Sequence, residues 1–429
     1  MTVVTSEFIG LARDTVRSQG VSDYPFVVVP HPLGMIPGEE VRKRADDAFP
    51  DIVRMAGGWE PKLSILASEK AYPAERFSFD GTVHDLNRFF FDKGWSLGLP
   101  VEPPTPEAVA RILTGTLPEP GGVIGQVPPR MGTLTVELAA VHAAMAGCKP
   151  EYMPVLIAAL EAMLEPQANW RGAATTTGTT AALIIVNGPI VGKIGIAAAQ
   201  GSAGADHHPN ASIGYAINLI ADIVGGAKSP SPDKSTLAAP SDFVAWIFGE
   251  NEEALPRGWK PFHVQRGFAQ SDSVVTVMAT YPPVENIDHW SVTPEEHLRW
   301  WSRVVSPLTS VGGPCEVCQM DGNYIIGVGP EHAQLIAGSG WSQADFKKAF
   351  WERVRAPLSA WPRGAPHMEG VVQRLGPVSP ETLVPITVKA EQLFTVIAGG
   401  AGKHSHYFAP FPRCLPVSRK INASGSRFL

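Results

Sequence analysis

The sequence has little cysteine, no long apolar run and only a small net charge. Four cysteines in 429 residues are too few for a disulfide scaffold of this size. No run of about 18 apolar residues occurs, and no basic segment leads into an apolar one at the start, which argues against membrane spanning and secretion. A net charge of −6 gives no field that favours nucleic acid or an anionic membrane. We therefore expect a cytoplasmic protein that binds neither.

Glycine and proline are plentiful, with 42 and 40 residues. This content predicts many shaped loops, and loops often carry binding and catalytic residues. Hydrophobic residues make up 44% and charged residues 18%, which indicates a globular chain with a large core and two or three domains. No internal repeat is evident.

The first 60 residues alternate between strand and helix patterns. The predicted strands are Thr2–Thr5 and Phe26–Val29, and the predicted helices are Glu7–Gln19 and Gly38–Met55. This βαβα order is the repeat of a doubly wound sheet. Two strands cannot bury both faces of such a sheet. We expect a partner chain to supply the missing strands, although later strands of the same chain are an alternative.

The predicted fold class is α/β, with an incomplete Rossmann-like N-terminal unit followed by a larger mixed α+β region. We divide the chain into residues 1–60, the partial βαβα unit; residues 61–230, a helix-rich α/β core with a Gly-rich loop; and residues 242–429, an α+β domain that contains the loop GGAGKHS near its end. Within the core, Ala182–Asn187 is a predicted central strand and Ala211–Val224 a predicted helix, begun by Asn210.

A Gly-rich loop at 201–209 runs directly into that helix. Free N–H groups and the helix dipole at such a start suit an anion. Asp206, His207 and His208 add a carboxylate and two imidazoles, which is a metal-ligand or acid/base set. We therefore predict a catalytic role for His207 and His208, substrate binding by Asn210, and a divalent metal held by Asp206 with the two histidines. A polar surface loop is the alternative.

The loop GGAGKHS is the second candidate site. It departs from the phosphate-binding Walker pattern, which requires glycine at the position of Ile397 and serine or threonine at the position of His404, and this departure argues against ATP binding. Glycines let the backbone approach a ligand, and a lysine can pair with an anion. We predict catalytic roles for Lys403 and His404, and substrate contacts from Gly400, Gly402 and Ser405. A tight turn with a solvated lysine is the alternative.

Three further positions are candidates. His263 and Arg266 lie in a turn before a strand, where arginine suits a substrate carboxylate or a structural ion pair. His31 follows a predicted parallel strand, where open α/β sheets bind ligands. Cys315 and Cys318 have a redox or metal spacing, but they lack a second cysteine pair, so two free thiols are the preferred interpretation.

The chain resembles the UGSC family, selenoprotein-related proteins named for a Sec/Cys-Gly-Ser-Cys motif. The resemblance extends over nearly the whole length, and the order of its motifs makes it specific. The stretches that carry it are VVTSEF (3–8), VVVPHPLG (27–34), GWSLGLPVEPPTPEAV (94–109), VIGQVPPRMG (123–132), ELAAVHAAMAGCKPEYMPVL (137–156), VNGPI (186–190), NASIG (210–214), PFHVQRGF (261–268), GPEHAQLIAGSGWS (329–342) and GGAGKHS (399–405).

The resemblance implies a catalytic thiol at the end of an α/β sheet. In longer family members, a βαβ segment with the Cys-Gly-Ser-Cys loop precedes the stretch that corresponds to Val3, and this sequence contains no such motif. We expect a separate small subunit to carry it, docked beside the two N-terminal strands with His31 at the seam. The residues Asp206–Pro209 depart from the family pattern, which puts a general role for both histidines in doubt.

Three hypotheses remain. The leading one is the large subunit of a small-molecule-transforming enzyme whose small subunit carries the reactive thiol, for redox or addition/elimination chemistry. The first alternative is a metal-dependent lyase or hydratase that uses Asp206, His207 or His208. The second is a non-catalytic scaffold subunit, in which replacing Lys403 or His404 by alanine would leave the activity of the complex unchanged.

Overall fold

A computed structural model describes residues 1–18, 21, 23–34, 36–58, 72–204, 206–305, 323–360, 372 and 374–422. The helices are α1 Ile9–Ser18, α2 Gly38–Ala56, α3 Val83–Asp92, α4 Pro106–Leu113, α5 Val136–Met145, α6 Met153–Met163, α7 Trp170–Ala173, α8 Ile190–Ile194, α9 His208–Leu219, α10 Phe262–Gln265, α11 Pro294–Val304, α12 Pro330–Gly338 and α13 Gln343–Arg353. The strands are β1 Thr2–Thr5, β2 Phe26–Val29, β3 Val123–Val127, β4 Gly132–Thr135, β5 Ala181–Asn187, β6 Trp246–Gly249, β7 Val274–Thr280, β8 Val284–Ile287, β9 Tyr324–Val328, β10 Arg355–Pro357, β11 Leu383–Pro385, β12 Leu393–Ile397, β13 His404–Phe408 and β14 Val417–Lys420. This mixture confirms the α/β class. Among these helices, none has both the length and the apolar character needed to cross a bilayer.

The N-terminal unit has the predicted βαβα order. Strands β1 and β2 pair in parallel, with Val3 opposite Val27 and Thr5 opposite Val29. They form a two-stranded sheet, and no other described strand pairs with either of them. Later strands in the described part of the chain therefore do not complete this sheet, so that alternative is wrong for these residues.

Two mixed four-stranded sheets form the centre of the fold. Their strand orders are β14-β7-β5-β6 and β12-β9-β13-β8. A shared apolar layer joins them, made of side chains from both sheets: Leu183, Ile185, Phe248, Phe262, Met278, Ile325, Val396, Ala398 and Phe408. The outer face of the first sheet packs on α5, α6 and α9, and the outer face of the second packs on α11, α12 and α13. The arrangement is a four-layer α/β/β/α sandwich.

The two sheets have the same plan, which corrects the expectation that the chain has no internal repeat. In the first sheet β5 is parallel to β6 and antiparallel to β7. In the second, β9 is parallel to β12 and antiparallel to β13. Residues 184–189, IIVNGP, correspond to residues 325–330, IIGVGP. Four identical residues in six are too short a signal to see without the strand pairing.

Each repeat gives its last strand to the other sheet. Strand β8 follows β7 along the chain but pairs with β13 of the second sheet. Strand β14 follows β13 but pairs with β7 of the first sheet. Because the exchange is reciprocal, neither sheet reaches four strands without the other repeat.

A glycine directly follows the first strand of each repeat, Gly188 after β5 and Gly329 after β9. The backbone of another segment lies so close to each glycine that a side chain would not fit. A Cβ on Gly188 would overlap the carbonyl oxygen of Asp272, and a Cβ on Gly329 would overlap that of His404. A serine beside each crossing accepts a backbone N–H at the start of the next helix. Ser273 Oγ accepts from Ile190, and Ser405 Oγ accepts from Gly329.

Threonine and serine side chains cap several helices. Thr105 caps α4, with Pro106 at its first position. Ser342 makes both bonds of a capping box with Asp345. Thr293 caps α11, and the Glu296 carboxylate accepts from Val292 N–H. The Ser6 hydroxyl accepts a hydrogen bond from His31 N–H.

We predict that Gly329→Ala destabilises the protein by at least about 1–3 kcal/mol, because backbone atoms of β13 must move to accommodate the added methyl group. Gly338→Ala is the matched control, since it lies at the end of the same helix α12 with no atom within 4 Å of its added Cβ. Urea denaturation compares the two variants. Equal free energies of unfolding would contradict the backbone crossing.

Candidate functional site

Polar side chains meet where three strands of the two sheets end. Asn187 ends β5, Glu250 follows β6, and Ile397 ends β12. The buried Glu250 carboxylate accepts bonds from Asn187 Nδ2 at 2.6 Å, from Phe262 N–H at 2.6 Å and from Ile397 N–H at 3.1 Å. The carboxyl ends of parallel strands are the usual ligand-binding edge of an α/β sheet.

Glu252 and His263 complete this group. Glu252 Oε1 accepts from Asn187 Nδ2 at 3.1 Å and from Gly188 N–H at 2.8 Å. His263 is fully buried, with its Nδ1 3.7 Å from Glu252 Oε1. Within the described part of the chain, neither of its ring nitrogens has a hydrogen-bond partner. We call Asn187, Glu250, Glu252 and His263 the carboxylate cluster.

Burial raises the pKa of Glu250 to about 8, although the bonds from Phe262, Ile397 and Asn187 favour its charged form. The nearby Glu252 charge adds to the increase. A carboxyl group that keeps its proton near neutral pH is suited to acid/base work or to a cation that replaces the proton.

The segment before the first glycine-rich loop meets the second glycine-rich loop beside this cluster. Ala197 O accepts from Gly249 N–H, and Gly400 of the second loop packs on Gln200. Asn251 Nδ2 donates to Gly399 O at 2.9 Å. The structure thus brings together three predicted regions, those of Asn210, Gly400 and His263.

Asn210 has a structural task there. It lies inside the first turn of α9, which begins at His208 rather than at Ala211, and it is buried. Its side chain bonds to backbone groups of Ala197, Ser202 and Ile247. The predicted substrate contact is therefore corrected, because these bonds use the polar atoms of the side chain to fix the loop.

Two backbone N–H groups of the loop GGAGKHS are bonded to a carboxylate of the protein itself. Gly402 and Lys403 N–H both donate to the Glu331 carboxylate at 2.6 Å. Lys403 Nζ donates to His289 O at 3.1 Å, and His404 Nδ1 lies 2.6 Å from Glu285 Oε1. The protein's own glutamate occupies the position where we predicted an anionic substrate. Lys403 and His404 lie on the surface, outside the carboxylate cluster.

Ser405 belongs to a buried hydrogen-bond network, which corrects its predicted substrate contact. Its hydroxyl lies 2.7 Å from His332 Nδ1, while His332 Nε2 lies 3.0 Å from Asp288 O. His297 Nδ1 lies 2.7 Å from Asp288 Oδ2. Burial opposes ionisation of Asp288, but hydrogen bonds from Ser291 and His297 hold its pKa well below the usual range. The network is a charged aspartate with two neutral histidines.

The predicted metal set is not assembled. Asp206 and His208 are exposed, and His208 Nδ1 lies 3.3 Å from the Tyr152 hydroxyl. His207 is extended, whereas His208 is the first residue of α9, so the chain changes direction between the two imidazoles. Within the described residues, three metal-binding side chains come together at two other places only.

Arg266 has structural partners of its own, and its predicted substrate contact stays a prediction. It donates to Pro416 O at 2.7 Å and lies over the Phe394 ring. Burial lowers its pKa. Both contacts tie α10 to neighbouring strands.

The N-terminal unit meets the rest of the chain along a polar seam. Glu7 pairs with Lys234 at 3.1 Å, and Asp14 pairs with Arg130 at 3.3 Å. His31 is exposed at the carboxyl end of β2, with its Nδ1 3.0 Å from Thr5 Oγ1 of β1. We call His31, Arg130 and Lys234 the seam residues.

The described cysteines are poor nucleophiles. Cys148 and Cys414 are buried, and burial raises the pKa of each thiol to about 12. A thiol that stays protonated neither attacks nor binds metal readily. The predicted pair Cys315 and Cys318 lies outside the described residues.

Asn187, Glu250 and Glu252 were not among the predicted site residues. Each follows or ends a strongly apolar strand, AALIIV or WIFG. Polar residues directly after two buried strands were the signal, but only the parallel pairing of β5 with β6 places them together.

Because His332 is buried, we predict that the free energy of unfolding of the protein decreases in acid. Burial lowers the pKa of His332 to about 4, from an ordinary value of 6.5. The unfolded chain therefore takes up a proton first as pH falls from about 6.5 to about 4, and stability is lost over that window. We expect His332→Asn to reduce the difference in free energy of unfolding between pH 7 and pH 5 by about 1–2 kcal/mol. His84→Asn, at an exposed histidine, should keep the wild-type slope.

Comparison with known proteins gives one match. No curated protein and no solved structure matches the chain. Beyond residue 58, the resemblance stays a prediction. Residues 1–58, the segment of β1, α1, β2 and α2, match the model of the UGSC family, which confirms the predicted resemblance for the N-terminal unit.

Proposed function

We propose that this chain is the large subunit of an enzyme that transforms a small molecule. A small subunit with a reactive Cys-Gly-Ser-Cys loop would complete the N-terminal sheet and supply the thiol. The observation that carries the proposal is the two-stranded sheet β1–β2, which lies in the segment that matches the UGSC family.

The N-terminal sheet is buried on one face only, and there only along β2. Val27 and Val29 of β2 are buried against α2. Val3 lies on the same face of β1 because it pairs with Val27, yet it is 43% exposed. Val28, on the opposite face of β2, is 49% exposed. Parallel sheets normally bury both faces, so these valines favour further strands or helices beside them.

Helix α2 adds a second apolar stripe. Ala48, Ile52 and Met55 pack towards the sheet. Phe49 and Val53, one helical turn apart, are 61% and 56% exposed. A helix with apolar residues on two faces is typical of one that contacts two neighbours. A small α/β subunit fits both the open strand edges and this stripe.

The reactive thiol would then lie at the seam. Thiol loops in α/β sheets occupy the carboxyl ends of strands, and His31 marks that end of β2. Lys234 and Arg130 face the same unit through their ion pairs with Glu7 and Asp14. Cations beside a cysteine lower its pKa, which suits thiol redox or addition/elimination chemistry.

The first alternative is a lyase or hydratase that uses a metal held by Asp206, His207 and His208. Because these three side chains do not form a ligand set in the structure, we do not propose it. The scaffold alternative is an outcome of the experiments below, because a scaffold would bind the small subunit without any effect on its thiol.

We predict that the chain co-purifies with a co-expressed small polypeptide carrying the Cys-Gly-Ser-Cys motif. Val28→Asp should weaken this complex at least about tenfold, or about 1.4 kcal/mol, because it places a charge at the open edge. Val123→Asp, at a 64% exposed position on β3, is the control. Isothermal titration calorimetry measures both. Equal affinities for the two variants, or no complex with the wild type, would overturn the proposal.

Alkylation separates an enzyme from a scaffold. Iodoacetamide at neutral pH should leave Cys148 and Cys414 of the folded chain unmodified, because burial raises the pKa of both thiols. The small-subunit thiol should react at least about tenfold faster in the complex than alone, because the seam cations favour its thiolate. Mass spectrometry follows each site. An unchanged rate would indicate a scaffold.

A further inference from the structure

Two groups of buried side chains place three potential metal-ligand atoms within 4.8 Å of one another. One is Asp288, His297 and His332, and the other is Glu250, Glu252 and His263. In the first group both nitrogens of His332 and Nδ1 of His297 are already bonded. That group is a hydrogen-bond network in which, among the described residues, His297 Nε2 is the one ring nitrogen without a partner.

His263 makes the second group different. Its side chain is fully buried, and neither ring nitrogen has a hydrogen-bond partner among the residues that the structure describes. A neutral imidazole has one N–H to donate and one lone pair to satisfy, so burial without partners is costly. The distance of 3.7 Å from its Nδ1 to Glu252 Oε1 is long for a hydrogen bond. It is normal for two ligands that each lie about 2.0–2.2 Å from one ion.

The second repeat ends its parallel strand pair without a buried acid. Glu250 N–H donates to Val186 O at the end of the β5–β6 pair, and Ala398 N–H donates to Val328 O at the end of the β9–β12 pair. When Gly188 is aligned with Gly329, Val328 corresponds to Asn187, so the two bonds lie one residue apart in register. The residue that follows β12 is alanine, whereas the residue that follows β6 is the buried Glu250.

Asn187 orients both carboxylates. Its Nδ2 donates to Glu250 and to Glu252, which leaves its buried Oδ1 without a partner. An amide that holds two acids at one point is the kind of support that positions metal ligands. Glu252 is the accessible member of the group, with its side chain 23% exposed, so a ligand would enter from its side.

We propose that Glu250, Glu252 and His263 bind one divalent first-row transition metal ion. Carboxylates suit magnesium and manganese, and imidazole suits zinc and iron, so the mixed set favours Mn²⁺, Fe²⁺ or Zn²⁺ over Mg²⁺ or Ca²⁺. Three protein ligands leave a position open towards Glu252 for water or a substrate oxygen. The site is independent of the proposed small subunit.

The experiment uses the full chain after treatment with EDTA and removal of the chelator. Mn²⁺, Zn²⁺ and Mg²⁺ are added singly, metal content is measured by mass spectrometry, and Tm by calorimetry. We expect about one Mn²⁺ or Zn²⁺ per chain, a rise in Tm, and no effect of Mg²⁺ at the same concentration. Absence of binding and of any Tm rise with both Mn²⁺ and Zn²⁺ overturns the proposal.

Variants locate the ion. His263→Asn and Glu252→Gln should each weaken binding at least about tenfold. His297→Asn, at an equally buried histidine of the other group, should bind like the wild type. Glu252→Gln alters a partly exposed side chain, so it reports on the site even if His263→Asn does not fold. Loss of the ion in His297→Asn with retention in Glu252→Gln overturns the assignment.

Discussion

The face-to-face packing of the two sheets determines which residues can meet. Sheets packed in this way lie about 10 Å apart, so backbone at the end of one can bond to side chains at the end of the other. The bond from Ile397 N–H of β12 to the Glu250 carboxylate after β6 crosses this gap. The side chain of Asn251, which also follows β6, likewise bonds across the gap by donating to Gly399 O after β12. The carboxylate cluster exists because the two sheets end at the same level.

The reciprocal exchange of β8 and β14 makes that packing obligatory. Since each repeat supplies a strand to the other sheet, the two cannot separate without breaking a sheet. The repeats share the Gly-Pro turn and the serine beside it, but their strand ends differ. One repeat carries Glu250 with His263, and the other carries Ser405 with His332. A shared plan with different polar residues indicates a duplicated unit whose two ends have acquired separate tasks.

Local patterns predicted the N-terminal unit well. The runs Thr2–Thr5 and Phe26–Val29 are strands with the expected ends, and caps such as Thr105 and Ser342 depend on neighbouring residues only. The site residues were predicted less well, because their hydrogen-bond partners are distant in sequence. Ser405 resembled a loop hydroxyl until His332, 73 positions away, proved to be its neighbour. Glu331 likewise accepts hydrogen bonds from the backbone N–H groups of Gly402 and Lys403, and no sequence spacing predicts that contact.

Lys234 of the seam and the carboxylate cluster lie towards opposite ends of β5. Lys234 precedes Ser235, whose hydroxyl bonds to Gly178 O just before β5 begins, whereas Asn187 ends that strand. Seven residues of strand span about 20 Å. Under the proposed function, a thiol docked beside β1 and β2 would therefore act on a substrate near Lys234 rather than on one at Glu250. A cation at the cluster would serve the fold or a second site, which is why the small subunit and the metal can be tested separately.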